Sequence, residues 1–473
     1  MLKEKLFTRF DCFLDDSDAP EPEFEVLTVN ITEALSTPYE IKLTVSSSKQ
    51  HLVPRSFIKH SGRVILNFGH HNRHFHGIIG AFKQLPLSTT ADGDAVSLYE
   101  IWLYPHFWFL KFNKDYRIFQ EKSTLDIVDQ LLRENNLLNM TFPKMHATSA
   151  LKHADPLRNY CVQYGESDFD FISRLLEDRG FYYYFEHHAT KHLLKLAFTP
   201  HDHSPCHVVD TVEIRDTDFK GNELNKILTH EISTHMQPHH QVLIDYNYAT
   251  ASLEMAPHTH SPGHGGAIYT YPGGYENLRD GHTKVKHLTD ADETEGVTLS
   301  GSSAAPFFSP GFKFTLLGHQ NPLFDEKVFT LETVTHRIID PRWAAEDALL
   351  YSNTFTAFLS SSHYRPELKT PKPKIHGTQT AIVVAPQGEE VWTDSEGRVK
   401  VQFHWNHRGY KTPVILKEGH PSHHKKKKRH VRDDENEDFQ SHYEHRAKKR
   451  HKVTYNDDEE AAYDNVYVNS EED

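Results

Sequence analysis

Short apolar runs of strand length, each closed by a polar turn, fill residues 22–112: "FEVLTVNI", "YEIKLTVSS", "GRVILNFG", "HFHGIIGAFKQL" and "SLYEIWLYPHFWFL". Runs of this length, rich in β-branched and aromatic residues, are too short for stable helices and suit the pleated surface of a sheet. In the last run Leu98, Glu100, Trp102 and Tyr104 alternate with Tyr99, Ile101, Leu103 and Pro105. Apolar side chains on both faces predict burial on both, as in a closed barrel or sandwich. The pattern returns from about 210 to 360, with "FFSPGFKFTLLGH" and "KVFTLETVTHRIID". The chain therefore reads as mainly β with α+β insertions and two separate β domains.

Between them the period changes. In "STLDIVDQLLRENN", residues 123–136, Leu125, Val128, Leu131 and Leu132 share one helical face, and Ser123 with Asp126 forms a capping box. The arrangement recurs in "RNYCVQYGESDFDFISRLLEDRGFYYYFEH", residues 158–187. There Ser167 is the expected N-cap, Asp168 and Asp170 suit the positive end of the helix dipole, and Phe169, Ile172, Leu175 and Leu176 form a stripe. Gly180 is placed to end the helix, and the tyrosine run has strand propensity. Carboxylates two residues apart point to different helical faces, so Asp168, Asp170, Glu177 and Asp178 are read as capping or solvent-facing groups and not as a catalytic pair.

Farther on, "VWTDSEGRVKVQFHW", residues 391–405, reads as a hairpin turning at Glu396 and Gly397, with Val399, Val401, Phe403 and Trp405 on one face. Beyond residue 412, blocks such as "KKKKRH" and "DDENEDF" offer few side chains to bury, which predicts a disordered tail. The expected division is a 1–21 extension, a first barrel at 22–115, an α+β segment at 116–210, and a second barrel at 211–366. A proline-bearing linker at 367–378, a partial barrel at 379–411 and the charged tail at 412–473 complete it.

A net charge of −14 excludes a general nucleic-acid binder, although protonating all 37 histidines would swing it to +23. Three widely spaced cysteines, Cys12, Cys161 and Cys206, do not make a disulfide framework, and Cys161 reads as a buried small hydrophobe. The first twenty residues lack the apolar core of an export signal, and no stretch is long enough to cross a bilayer. In "HDHSPCH", His201, His203, Cys206 and His207 combine imidazoles and a thiol of the kind zinc takes, but the spacing is not that of a finger and histidine is abundant. "MQPHHQ" and "PHTHSPGHGG" are weaker still. Nucleophile elbows, phosphate-binding glycine loops and zincin helices are absent from the sequence, so neither an enzyme nor a cofactor is expected.

Several long segments, in order, resemble one family. Residues 115–132 and 158–187, "FFSPGFKFTLLGH", "YRPELKTPKPKIHGTQTAIVVAP" and "GEEVWTDSEGRVKVQFHWNHRG" are similar to segments of VgrG, the spike protein of type VI secretion systems, itself related to contractile phage tail hubs. The resemblance runs over about residues 20–410 and implies tandem hub-like β-barrels followed by an OB-like barrel. It also implies a homotrimer docked on a hexameric Hcp ring, a PAAR-type tip or effector proteins as further partners, and assembly in the cytoplasm before export by contraction. Tyr160, Tyr164, Ser167, Asp168, Phe169, Phe171, Arg174, Leu175, Gly180 and Tyr183, then Gly397, Arg398, Val399, Val401, Phe403 and Trp405, are the residues that match its motifs. The needle-forming repeats and closing OB strands expected after residue 410 are not seen. Two other readings follow: a variant whose tail acts in or binds a component of the target cell, and a shortened remnant.

Overall fold

The computed structural model describes residues 6–13, 24–49, 52–89, 95–137, 140–141, 154–214, 224–261, 265–341, 343, 350–386 and 391–407. The tail at 412–473, with its basic and acidic blocks, lies outside the described residues.

Six antiparallel strands open the chain: Leu6–Phe13 (β1), Glu25–Ala34 (β2), Thr37–Ser47 (β3), Ser61–Phe68 (β4), Asn72–Gln84 (β5) and Ala95–Tyr104 (β6). They lie in the order β1-β4-β5-β6-β3-β2. The two outer strands meet at a single antiparallel bridge, Phe10 to Phe24, which bends the sheet round into a barrel. The barrel thus includes β1, upstream of the boundary expected at residue 22. Side chains alternate as a half-buried sheet requires: Tyr99, Ile101 and Leu103 are fully enclosed. The opposite face of β6 is only half covered, contrary to the expectation of burial on both faces. Its cover is thin and local, Trp108 stacked on Tyr104 at 4.2 Å and Lys42 over Trp102 at 5.2 Å.

The α+β segment follows. Lys114–Phe119 (β7) pairs with Cys161–Ser167 (β8), and helix Thr124–Glu134 (α1) lies between them in sequence. The Ser123–Asp126 capping box forms as the spacing predicts. Asp155 adds a cap from a distance, accepting hydrogen bonds from the backbone N–H groups of Thr124 (2.9 Å) and Leu125 (2.8 Å). Helix Asp168–Arg179 (α2) leads into a hairpin of Tyr182–His187 (β9) and His192–Ala197 (β10).

The remaining elements are Thr211–Ile214 (β11), Lys226–Thr234 (β12), a small sheet of His240–Leu243 (β13), His258–His260 (β14) and Ala267–Thr270 (β15), helix Leu278–Glu295 (α3), then Val297–Ser303 (β16), Phe312–Leu317 (β17), Val328–Ile339 (β18) and Tyr351–Leu359 (β19). Following the ladders gives β18-β19-β16-β12-β11-β17 and back to β18, a closed six-stranded barrel. A closed sheet leaves no unpaired edge, which suits a rigid body. β18 also pairs with β2, from Thr28↔Ile339 to Ala34↔Thr333, so the two barrels share a continuous sheet.

The C-terminal segment differs from the expected hairpin. Gly397, with φ of 76°, does turn the chain, but residues 391–393 and 399–401 meet only at the Thr393–Val399 bridge. Val401–Phe403 (β21) pairs instead with Ala381–Val383 (β20). Val399 and Val401 are 49% and 40% exposed, so the apolar face read from the sequence covers no core among the described residues. No described helix is long and apolar enough to cross a membrane.

Candidate functional site

The tyrosine strand shows what the α+β segment does. Because successive side chains of a strand point to opposite sides, Phe181, Tyr183 and Phe185 enter the core shared by the first barrel, α1 and α2, whereas Tyr182 and Tyr184 enter the core of the second barrel. One strand thus stitches two hydrophobic cores together. The Tyr182 hydroxyl shares a 2.7 Å hydrogen bond with His203 Nε2, and the Tyr184 hydroxyl donates to the Asp202 carbonyl at 3.1 Å. Gly311 sits beneath Tyr184 with φ of 80°, and a Cβ there would lie 2.6 Å from the ring. Gly311→Ala combines left-handed strain with overpacking and is expected to cost about 2–4 kcal/mol, read from the shift in unfolding midpoint. A loss below about 0.5 kcal/mol would contradict the close packing of strand on turn.

Helix α2 is held by charges. Ser167 caps it by accepting from the Asp170 N–H at 3.0 Å, and Gly180 ends it with φ of 72°. Asp168 is 2% exposed and ion-pairs with Arg117, while Gln163 donates to it at 2.8 Å. Arg174 grips both oxygens of Glu166, at 2.8 and 2.6 Å, and lies over Phe171. Glu177 accepts from the backbone N–H and hydroxyl of Thr370, at 2.9 and 2.6 Å. Asp178 receives Arg158 at 2.7 Å and Lys284 of α3 at 2.8 Å, and Arg179 pairs with Asp280. Burial alone would raise the Asp178 carboxyl, but Lys284, Arg158, Lys372 and Arg179 outweigh it and hold it well below the usual carboxylate range.

This corrects the outward-facing role expected of these carboxylates. Only Asp170 is exposed; Asp168, Glu177 and Asp178 point inward and are each paired. Asp168 and Asp178 are tied to fixed cations and Glu177 to Thr370, contacts that anchor the helix on its neighbours. Phe171 and Leu175 are fully buried, whereas Phe169 is half-buried against Phe107 at 5.4 Å. Tyr183 is enclosed, and Tyr160 is 51% exposed. Tyr164 is brought to Trp405, ring centroids 5.4 Å apart, which ties the C-terminal segment to β8. Phe403 stacks on Trp405 at 5.1 Å, and Arg398 pairs with Asp394 and donates to the Tyr248 hydroxyl at 3.1 Å.

The 201–207 cluster does not converge. His201 and His207 are exposed, while both ring nitrogens of His203 are engaged, one by Tyr182 and the other by the Gly311 carbonyl at 2.8 Å. Burial pushes the Cys206 thiol up to about 12, so it stays protonated. Among the described residues no three such side chains are placed to hold a metal.

A second polar knot was not legible in the sequence. Glu33 of β2, 4% exposed, meets His187 at 3.1 Å, Arg73 at 3.4 Å and His336 at 3.6 Å, where the two barrels join. Arg73 continues to Ser309 at 2.8 Å and to the Pro306 carbonyl. The members come from residues 33, 73, 187, 309 and 336, so no local spacing could announce them.

The comparisons agree with this architecture. Residues 32–341 match the family model of the phage tail baseplate hub (GPD). The type VI secretion system spike protein VgrG1b of Pseudomonas aeruginosa is 31% identical over 347 residues, 71% of this chain and 44% of that protein. VgrG1a of the same organism is 30% identical, over 72% of this chain and 52% of its own length. The chain therefore spans about half the length of these relatives. Among solved structures, the E. coli c3393 protein, described as a component of the type VI secretion system, aligns with a TM-score of 0.59 at 21% identity, over 83% of this chain and 88% of that one. A tail protein of Neisseria meningitidis aligns with a TM-score of 0.52 at 11% identity, over 76% and 99%. At those identities the likeness is one of fold.

Proposed function

The chain belongs to the phage tail baseplate hub family, within its VgrG spike branch, and from that membership we propose that it is the structural hub of a contractile injection machine, working as a homotrimer seated on a hexameric Hcp ring. The observation that carries this reading is the pair of six-stranded barrels within one chain. Three copies would offer six similar barrels to a six-fold ring, resolving the mismatch between a trimer and a hexamer. Load passed from one barrel to the other would run through a continuous sheet, a strand common to two cores and the buried charges of α2. On this reading the protein is not an enzyme, is assembled in the cytoplasm, and leaves with the tube when the sheath contracts. Delivery of effector proteins would follow from riding on that tube.

Size-exclusion chromatography with light scattering, alone and with purified Hcp rings, tests this. The expected result is a trimer that co-elutes with one ring. A stable monomer that ignores the ring would overturn the proposal.

A further inference from the structure

The two histidine motifs that looked weakest in the sequence are the ones the fold brings together. Strand β13 begins at His240 and β14 ends at His260, and the antiparallel register sets these two residues directly opposite each other. Gln241 and Thr259, which alternate with them, face α3: Gln241 donates to Asp292 at 2.8 Å and the Thr259 hydroxyl bonds that of Thr289. His240 and His260 therefore lie on the sheet face turned away from α3, with His258 two residues along the same face. His240 Nδ1 and His260 Nδ1 are 3.1 Å apart, and the ring centroids 4.3 Å.

Zinc–nitrogen bonds of about 2.0–2.1 Å at a tetrahedral angle place two ligand nitrogens about 3.3 Å apart. We propose that His240 and His260 form a cross-strand chelate for a divalent transition ion of the zinc type, with water completing its shell. A neutral imidazole–imidazole hydrogen bond has much the same spacing, but it uses one proton to hold two rings, whereas a metal ion uses both lone pairs. The register fixes both rings side by side on one face of the sheet, so the two donor nitrogens are already gathered at the spacing a chelate needs. His258 stands with its ring centroid 5.4 Å from that of His240 and 5.7 Å from that of His260. No third side chain among the described residues converges on the point the pair shares, so the protein supplies two ligands. Such a site would clamp the outer ends of β13 and β14, where the ladder is only three residue pairs long.

The test uses the full chain without an affinity tag, stripped of metal and supplied with one equivalent of Zn²⁺. Histidine modification by diethyl pyrocarbonate, mapped by mass spectrometry, is expected to fall at His240 and His260 and to be unchanged at the exposed His70 and His71. His240→Gln and His260→Gln, read by chelator competition, should each weaken the tightest zinc site about 10-fold or more, since losing a ligand costs at least as much as losing its outer-shell support. Both should keep the wild-type melting temperature without metal. Equal reactivity of His240 and His260 with and without zinc, or wild-type affinity in both variants, would overturn the site.

Discussion

Alanine at Asp178 is expected to destabilise the protein by about 3–5 kcal/mol, because it leaves buried cations without their counter-charge. Lys284, 7% exposed, would keep only the Gly274 carbonyl, 2.6 Å away, and Arg158 only weak donation to Thr124 Oγ1 at 3.2–3.3 Å. Two elements would each lose a tie to α2 at once, the segment before β8 and helix α3, the latter keeping its Asp280–Arg179 pair. Asp170→Ala on the same helix is the matched control. That carboxylate is exposed and touches only the cap, so its loss is expected to stay within about 1 kcal/mol. Urea unfolding followed by tyrosine and tryptophan fluorescence reads both variants. Equal, small shifts for the two would show that the Asp178 cluster is not what secures the joint.

Stability should also fall steeply with acid, and from a higher pH than carboxylate titration alone would give. Burial, as the leading cause, lowers His76 to about 4, His203 to about 4, His287 to about 3 and His336 to about 4. These rings are neutral in the folded chain, while the unfolded chain takes up their protons near pH 6.5. Their contribution is thus complete above about pH 6.5 and is lost as the pH falls from there towards the folded values. Each histidine gives up roughly 1.4 kcal/mol per pH unit in that window, so four together lose several kcal/mol before pH 5. Glu33 and Asp178, held below the usual carboxylate range despite their burial, add a second loss under about pH 4.5. Glu177, Asp292, Glu295 and Glu332, raised chiefly by burial, pull the other way and offset part of the loss from the carboxylates and histidines. A melting temperature that stays level from pH 7.5 to 5 would refute the buried-histidine account.

The helices show how far local reading goes. Ser123 with Asp126, Ser167 with the Asp170 N–H, and Gly180 in the left-handed region are all where the spacing places them, since caps and helix ends are settled within four residues. The same reading put Glu177 and Asp178 on the outside, because helical periodicity marks which residues share a face but not whether a second helix or a later loop covers it. Thr370 and Lys284, which turn those carboxylates inward, are 193 and 106 residues away. The segment 391–405 is the converse: its turn at Gly397 formed, yet the strand after it found residues 381–383 instead of its neighbour across the turn.

By itself the sequence determined the mainly β class, the two helices before residue 180 with both N-caps and the Gly180 end of the second, and the strand character of the tyrosine run, all set by hydrogen bonds and propensities acting over a few residues. The tertiary structure alone decided that Tyr182 and Tyr184 serve one core while Tyr183 and Phe185 serve another, that Glu33 joins Arg73, His187 and His336, and that His240 faces His260. Those are choices of partner, and a partner tens or hundreds of residues away is fixed by how strands pair and barrels pack, not by any local spacing along the chain.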